Sequence, residues 1–291
     1  MEVLKDFSII FVSIFFESFP FLLLGAFISS LIEVFISDET IVRIIPKNRI
    51  LGTFVGIILG FFIPACDCAV IPISKRLIQK KVPLNVCISF MLASPIINPV
   101  VLASTYLAFY KTNPGIFYSR LILGILIAFV IGIIMDIIFH KSSVVVDKDC
   151  SCCHHHDSNK FFSIVNHTVL DLFDVLKYLI IGACIASLCQ VLIPRNVLNF
   201  FDGNNIISIL ILMIFAYLIS LCSTSDSFVG KSLLSCFSSS SIVSYLLLGP
   251  MIDIKNTIVL LGNFNKKFVI VLITLIFSFV FLFSMIYGSI L

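Results

Sequence analysis

Apolar side chains dominate eight stretches of the chain, at about residues 7–36, 50–64, 82–110, 116–140, 161–194, 206–222, 232–250 and 268–290. Several are long enough for an α-helix to cross a hydrocarbon core about 30 Å thick, with room for tilt. The pattern predicts an all-α fold, a polytopic membrane helix bundle of about eight hydrophobic segments. The strongly polar interior stretch is 141–160. It divides the chain into a first transmembrane repeat at 1–140, a cytoplasmic linker at 141–160 and a second transmembrane repeat at 161–291.

The halves are related. FLLLGAFISSLIEVFI at 21–36 matches YLIIGACIASLCQVLI at 178–193, with Gly25 on Gly182. Further on, Cys66 of PACDCAVIP falls opposite Cys222 of SLCSTSDSF, and Ser94-Pro95-Ile96-Ile97-Asn98 opposite Gly249-Pro250-Met251-Ile252-Asp253. Three matched features in one order indicate an internal duplication. If residues 50–81 form a re-entrant hairpin turning at Pro64 to Cys68, each half crosses three times and the repeats are inverted. Arg43, Lys47, Arg49, Lys75, Arg76, Lys80, Lys81, Lys141, Lys148, Lys160, Lys255, Lys266 and Lys267 then share the cytoplasmic side. Lys5, Lys111, Arg120, Arg195 and Lys231 lie opposite, which satisfies the positive-inside tendency. A parallel eight-span repeat is the alternative.

Composition agrees with a membrane protein. Of 291 residues 59% are hydrophobic and 12% charged, against roughly 25% charged in soluble domains, and mean hydropathy is +1.16. A net charge of +3 argues against a nucleic-acid partner. Met1-Glu2-Val3-Leu4-Lys5-Asp6 lacks the basic start of a signal peptide, so the first apolar segment is expected to remain as a helix. The ten cysteines are expected to be reduced thiols.

The candidate chemistry sits where the apolar stretches break. Cys66, Asp67 and Cys68 lie between Pro64 and Pro72. Prolines interrupt helices, and non-helical backbone at membrane depth persists only inside protein or beside a water-filled cavity. Thiolates suit Cu(I), Zn(II) and, by the same softness, trivalent arsenic. A carboxylate in the bilayer is functional by default. The bland alternative is two buried small side chains with an Asp paired to backbone or to a loop Lys. The second motif offers Cys222, Ser223, Ser225 and Asp226, with Lys231 as a possible counter-ion for the carboxylate and hydroxyls that could instead bond to their own helix. Asn98 and Asp253 each follow a proline that interrupts a helix, where freed backbone dipoles could face cargo. Structural kinks are the competing reading. Glu17, and Asp174 with Lys177, read as interface anchors or an internal salt bridge rather than ligands.

The linker concentrates Cys150, Cys152, Cys153, His154, His155 and His156 within seven residues. This is metal-binding composition without zinc-finger spacing, so a flexible loop that captures or senses zinc or copper is expected, against an unstructured polar linker. No tightly bound cofactor is expected. GxxxxGK[ST], HExxH and GxSxG are absent, which argues against ATP hydrolysis and leaves an ion gradient or a partner to supply energy.

At CDCAVIPISKRLIQKKVPLNVCISFMLASPIINPVVLASTYLAFY and at LCSTSDSFVGKSL with LLLGPMIDIKNTIVLLGNF, nearly the whole chain resembles the predicted-permease family of the YraQ type. That family is related to the ArsP permeases that export trivalent organoarsenicals, and to subunits of a two-component membrane permease complex. The resemblance implies a multi-pass permease of the bacterial cytoplasmic membrane, with Cys66, Cys68 and Cys222 handling substrate. Where family members often have Ser or Glu this chain has Asp67, and where they have Glu it has Thr224. The expectation is a non-enzymatic permease moving zinc, copper or a trivalent organoarsenical outward, with the lipid bilayer, the cargo and a second membrane permease subunit as partners. The alternatives are a non-transporting, metal-sensing subunit of a permease complex, or a membrane thiol oxidoreductase cycling Cys66 and Cys68.

Overall fold

The structure, a computed structural model, describes residues 2–35, 48–63, 67–139, 144–145, 160–192, 205–234 and 236–290. The described residues are almost entirely helical. In order they form α1 (Glu2–Phe35), α2 (Arg49–Phe62), α3 (Asp67–Gln79), α4 (Leu84–Ile97), α5 (Pro99–Phe109) and α6 (Pro114–Phe139). After the linker follow α7 (Lys160–Leu192), α8 (Asn205–Ile219), α9 (Ser225–Leu233), α10 (Ser239–Met251), α11 (Ile254–Asn263) and α12 (Lys266–Ile290).

Length sorts these helices. Among the described residues, six spans are long and apolar enough to cross a membrane: Lys5–Leu31, Leu84–Phe109, Pro114–Phe139, Thr168–Val191, Ser239–Asn263 and Lys266–Ser289. Three precede the linker and three follow it. Two of them, α4 with α5 and α10 with α11, are broken in the middle. The apolar helices α2 and α8 have 14 and 15 residues. At 1.5 Å per residue they reach about 21–23 Å, short of a full crossing. α2 is followed by the shorter α3, and α8, after a polar turn at 220–224, by the shorter α9.

α4 and α10 form the centre. Every residue of α4 from Asn85 to Ile97 and of α10 from Ser240 to Met251 is buried, and the two helices touch. Close packing there depends on small residues, the usual device where lipid gives helices no hydrophobic reason to associate. Gly52, Gly56 and Gly60 line one face of α2, where a Cβ would meet Asn85, Ser89 and Ser94 of α4. Outward faces are apolar and exposed, as lipid requires: Phe16 and Phe27 on α1, Phe54 and Ile58 on α2, Ile270 and Leu282 on α12.

Two expectations need correction. The stretch 232–250 does not end its membrane segment, because the buried helix begins at Ser239 and resumes beyond Asp253 as far as Asn263. The polar residues that hid this continuation find partners inside the protein, Asp253 with the Asn256 N–H and with Lys255. Arg120 and Lys255, read as loop charges on opposite sides, are 0% and 3% exposed. Both are held inside by carboxylates and hydroxyls.

Candidate functional site

The breaks in the helices meet one another. α2 ends at Phe62 and α3 begins at Asp67, so Asp67 and Cys68 of the expected turn are helical and residues 64–66 lie outside the described residues. Cys66 itself lies outside the described residues, as do Cys150, Cys152, Cys153, His154, His155 and His156 of the linker. α4 ends at Ile97, and Asn98 caps α5 by accepting the Val100 N–H at 3.0 Å. Asp253 caps α11 by accepting the Asn256 N–H at 2.6 Å. A side-chain oxygen at that position satisfies one of the unpaired donors of the first turn. Proline has thus produced a full break with a new cap in both cases.

Asp67 opens α3 and faces α11 and the turn before α9. Its Oδ1 accepts from Ser223 Oγ at 3.2 Å and its Oδ2 from Asn256 Nδ2 at 3.3 Å. Lys255 Nζ lies 4.0 Å from Asp67 Oδ2 and 3.7 Å from Asp253 Oδ2. Cys68 Sγ donates to Asn256 Oδ1 at 3.6 Å. The turn is tied in by Ser220, whose left-handed φ of 53° reverses the chain after α8 and whose Oγ accepts the Lys255 N–H at 3.3 Å. Cys222, half-buried, lies 3.4 Å from Thr224 Oγ1 and interacts electrostatically with Asp67 and Glu17.

A second cluster adjoins the first through Ser223, whose carbonyl accepts from Arg120 Nη2 at 3.4 Å. Arg120 Nη1 donates to Thr105 Oγ1 at 2.6 Å and to Ser227 Oγ at 2.9 Å. Asp226 is its electrostatic partner and accepts from Tyr245 OH at 2.9 Å, while its Oδ2 accepts no hydrogen bond. Lys231, expected to balance Asp226, is exposed at the far end of α9. Arg120 takes that role instead. Ser225 opens α9 half-buried.

The matched glycines serve these junctions. A Cβ on Gly25 of α1 would lie 2.7 Å from Ala69 Cβ, two residues beyond Asp67, and one on Gly182 of α7 would lie 3.0 Å from Lys255 Cα. Glu17 is exposed on α1. Lys177 stands 5.5 Å from the Tyr178 ring centroid, and the Asp174 side chain lies outside the described residues.

Asp67, Cys68, Ser223, Asp226 and Asp253 are therefore assembled into one buried network, with Cys222 at its edge and Asn98 at the separate α4–α5 break. Sequence reasoning missed Arg120, Lys255, Asn256, Thr105 and Tyr245. Arg120 carried a usable signal, since it is a charge inside the apolar stretch 116–140 and such charges default to function. Among the described residues, no three His, Cys, Asp or Glu side chains converge as a metal site.

Comparison with known proteins adds the context of a family. A family model described as "Predicted permease" matches residues 3–289. A Streptococcus mutans protein whose name describes a two-component membrane permease complex subunit is 38% identical over 267 residues, covering 90% of this chain and 88% of its own. The UPF0718 protein YcgR of Bacillus subtilis is 40% identical over 270 residues, 92% of each chain. The UPF0718 protein YraQ of Escherichia coli is 27% identical over 79 residues, 27% of this chain and 23% of its own. No solved structure matches the chain.

Proposed function

The chain belongs to the predicted permease family, and from that premise we propose that this multi-pass permease of the cell membrane exports a thiol-reactive metal ion or metalloid: zinc, copper or a trivalent organoarsenical. Family membership supports reading it as a transporter. The observation that carries the cargo reading is the buried network itself. Asp67, Asp226 and Asp253 outnumber Arg120 and Lys255, so with all five ionised the centre holds one excess negative charge. Uncompensated charge is costly inside a membrane protein. A cation would balance it, and Cys68 and Cys222 stand beside it as thiols for a soft cargo, with Cys66 one residue before Asp67.

Alternating access about this centre is supported by reciprocal contacts. α3 of the first half packs on α11 of the second through Cys68 to Asn256 and through Lys75 Nζ to Asn263 Oδ1 at 3.2 Å. α9 of the second half packs on α5 of the first through Ser227 to Thr105 at 2.9 Å. Three long spans in each half would invert one repeat relative to the other, and inverted repeats with broken helices place substrate near the bilayer midplane. In this reading residues 1–140 and 161–291 are the two repeats. The 150–156 loop delivers zinc or copper to the cytoplasmic mouth.

The test is time-resolved flux in proteoliposomes of the purified protein, offering zinc, copper(I), arsenite and a trivalent methylarsenical, with Cys66→Ser alongside. Flux of one cargo that disappears in the variant supports the reading. Equal flux in both removes the thiols from the mechanism. A non-transporting, metal-sensing subunit is the second reading; the name of the S. mutans relative, a two-component membrane permease complex subunit, supports its need for a second subunit. It predicts flux only when a second membrane subunit is co-reconstituted.

A further inference from the structure

A small cavity opens beside Asp67, between the two broken helices. Its walls include Asp67, Asn256, Met91, Met251, Pro95 and Pro250. The space is roughly that of one water molecule, the size of a bare ion. Met91 lies on α4 four residues before Pro95, and Met251 ends α10 directly after Pro250. Each methionine therefore lines the cavity together with the proline that precedes its helix break. Pro95 has no N–H to offer, so the Met91 carbonyl also lacks its usual helical donor. Both methionines are nearly buried, at 7% and 6% exposed.

The wall chemistry discriminates among ions. Calcium takes six to eight oxygen ligands and magnesium an octahedron of them, whereas Asp67 and Asn256 are the polar side chains on this lining. Zinc prefers four ligands from Cys, His, Asp and Glu, and no three of these converge among the described residues. Thioethers are soft donors that select Cu(I). Asp67 puts a carboxylate on the cavity wall for a cation to meet.

We propose that this cavity is the cargo seat and that it takes a soft monovalent cation, Cu(I) or its analogue Ag(I), with Met91 and Met251 as thioether donors and Asp67 as the counter-charge. The proposal rests on the permease reading above and narrows its cargo. Asn256 positions the seat, since one side chain donates to Asp67 and accepts from Cys68. The prolines let each half of the broken helices shift without carrying the other.

The experiment is Ag(I) flux into proteoliposomes of the full chain as a function of concentration, with zinc and methylarsenite as comparators. Ag(I) is the probe because it is stable to redox change. Met91→Leu and Met251→Leu, alone and together, remove sulfur while conserving volume, the kind of core exchange best tolerated. The expected result is saturable Ag(I) flux, with half-saturation raised by about tenfold in the double variant as the soft donors are lost, and circular-dichroism melting within a few degrees of wild type. Met251→Cys, which restores a soft donor, is expected to recover part of the loss. Saturable flux of zinc or methylarsenite without Ag(I) flux overturns this proposal while leaving the broader permease reading intact. So does Ag(I) flux unchanged in a folded double variant. Absence of flux for every ion from folded, inserted protein overturns both.

Discussion

Replacing Lys255 by Met should destabilise the protein strongly, and replacing Asp253 by Asn in the same chain should recover much of the loss. Lys255 is 3% exposed, with Nζ at 3.7 Å from Asp253 and 4.0 Å from Asp67. At such separations and an effective dielectric of about 20, each attraction is about 4 kcal/mol before desolvation is counted. Removing the ammonium leaves two buried carboxylates without their shared cation, and breaking a buried pair from one side costs about 3–5 kcal/mol. Met keeps most of the stem's volume, so the change isolates the charge. The Tm should fall on the order of 10 °C for a chain of this size. Asp253→Asn preserves an oxygen that can still accept the Asn256 N–H and removes one of the stranded charges. The double variant should therefore be more stable than the sum of the single effects by over about 1 kcal/mol, beyond the additivity seen for independent sites. The chain has no Trp, so unfolding of protein in nanodiscs is followed by circular dichroism. A single Lys255→Met variant as stable as wild type, or strict additivity in the double variant, would refute the assignment of Lys255 as the cation of this cluster.

Other outcomes follow from the same geometry. Gly25→Ala should cost about 1–3 kcal/mol, as overpacking does, because its Cβ would sit 2.7 Å from Ala69 Cβ and 2.8 Å from Ala69 Cα, a backbone atom that cannot step aside alone; melting of the variant checks this. Arg120→Lys keeps the charge but cannot span Thr105, Ser227 and the Ser223 carbonyl together, so flux should fall at least about tenfold in protein that still folds, measured in proteoliposomes. Thiol labelling mapped by mass spectrometry should find Cys87 unreactive until the protein unfolds, since it is 0% exposed. Cys222, half-buried at the network edge, should react slowly and be protected by cargo.

Much of the fold was legible because membrane helices announce themselves by apolar length. The breaks were legible too: Pro64, Pro95 and Pro250 interrupt runs that would otherwise continue, and the helices end near each of them. Gly25 and Gly182, aligned by sequence alone, both turn out to mark close approaches to the polar centre. The cations were not legible by position. Counting positive charges by loop treats every Lys or Arg near a segment end as a topological signal; Lys255 occupies such a place in sequence, and Arg120 is counted the same way although it lies inside the apolar stretch 116–140. What buries them is long-range pairing: Asp67 with Lys255 across 188 residues, Ser227 with Arg120 across 107. No local pattern encodes those contacts. The polar start of α11 hid its membrane location for the same reason, since Asp253, Lys255 and Asn256 read as solvent-facing until their partners are known.

The central claim is that the Asp67 carboxylate, where the first turn meets α11, carries cargo charge. Its most direct test is flux of the transported cargo through Asp67→Asn in proteoliposomes. Asn retains an oxygen for Ser223 and leaves Lys255 its Asp253 partner, so the fold should persist with melting close to wild type. The account predicts that this folded variant loses nearly all flux while Asp67→Glu retains part of it. Wild-type flux through Asp67→Asn would contradict it.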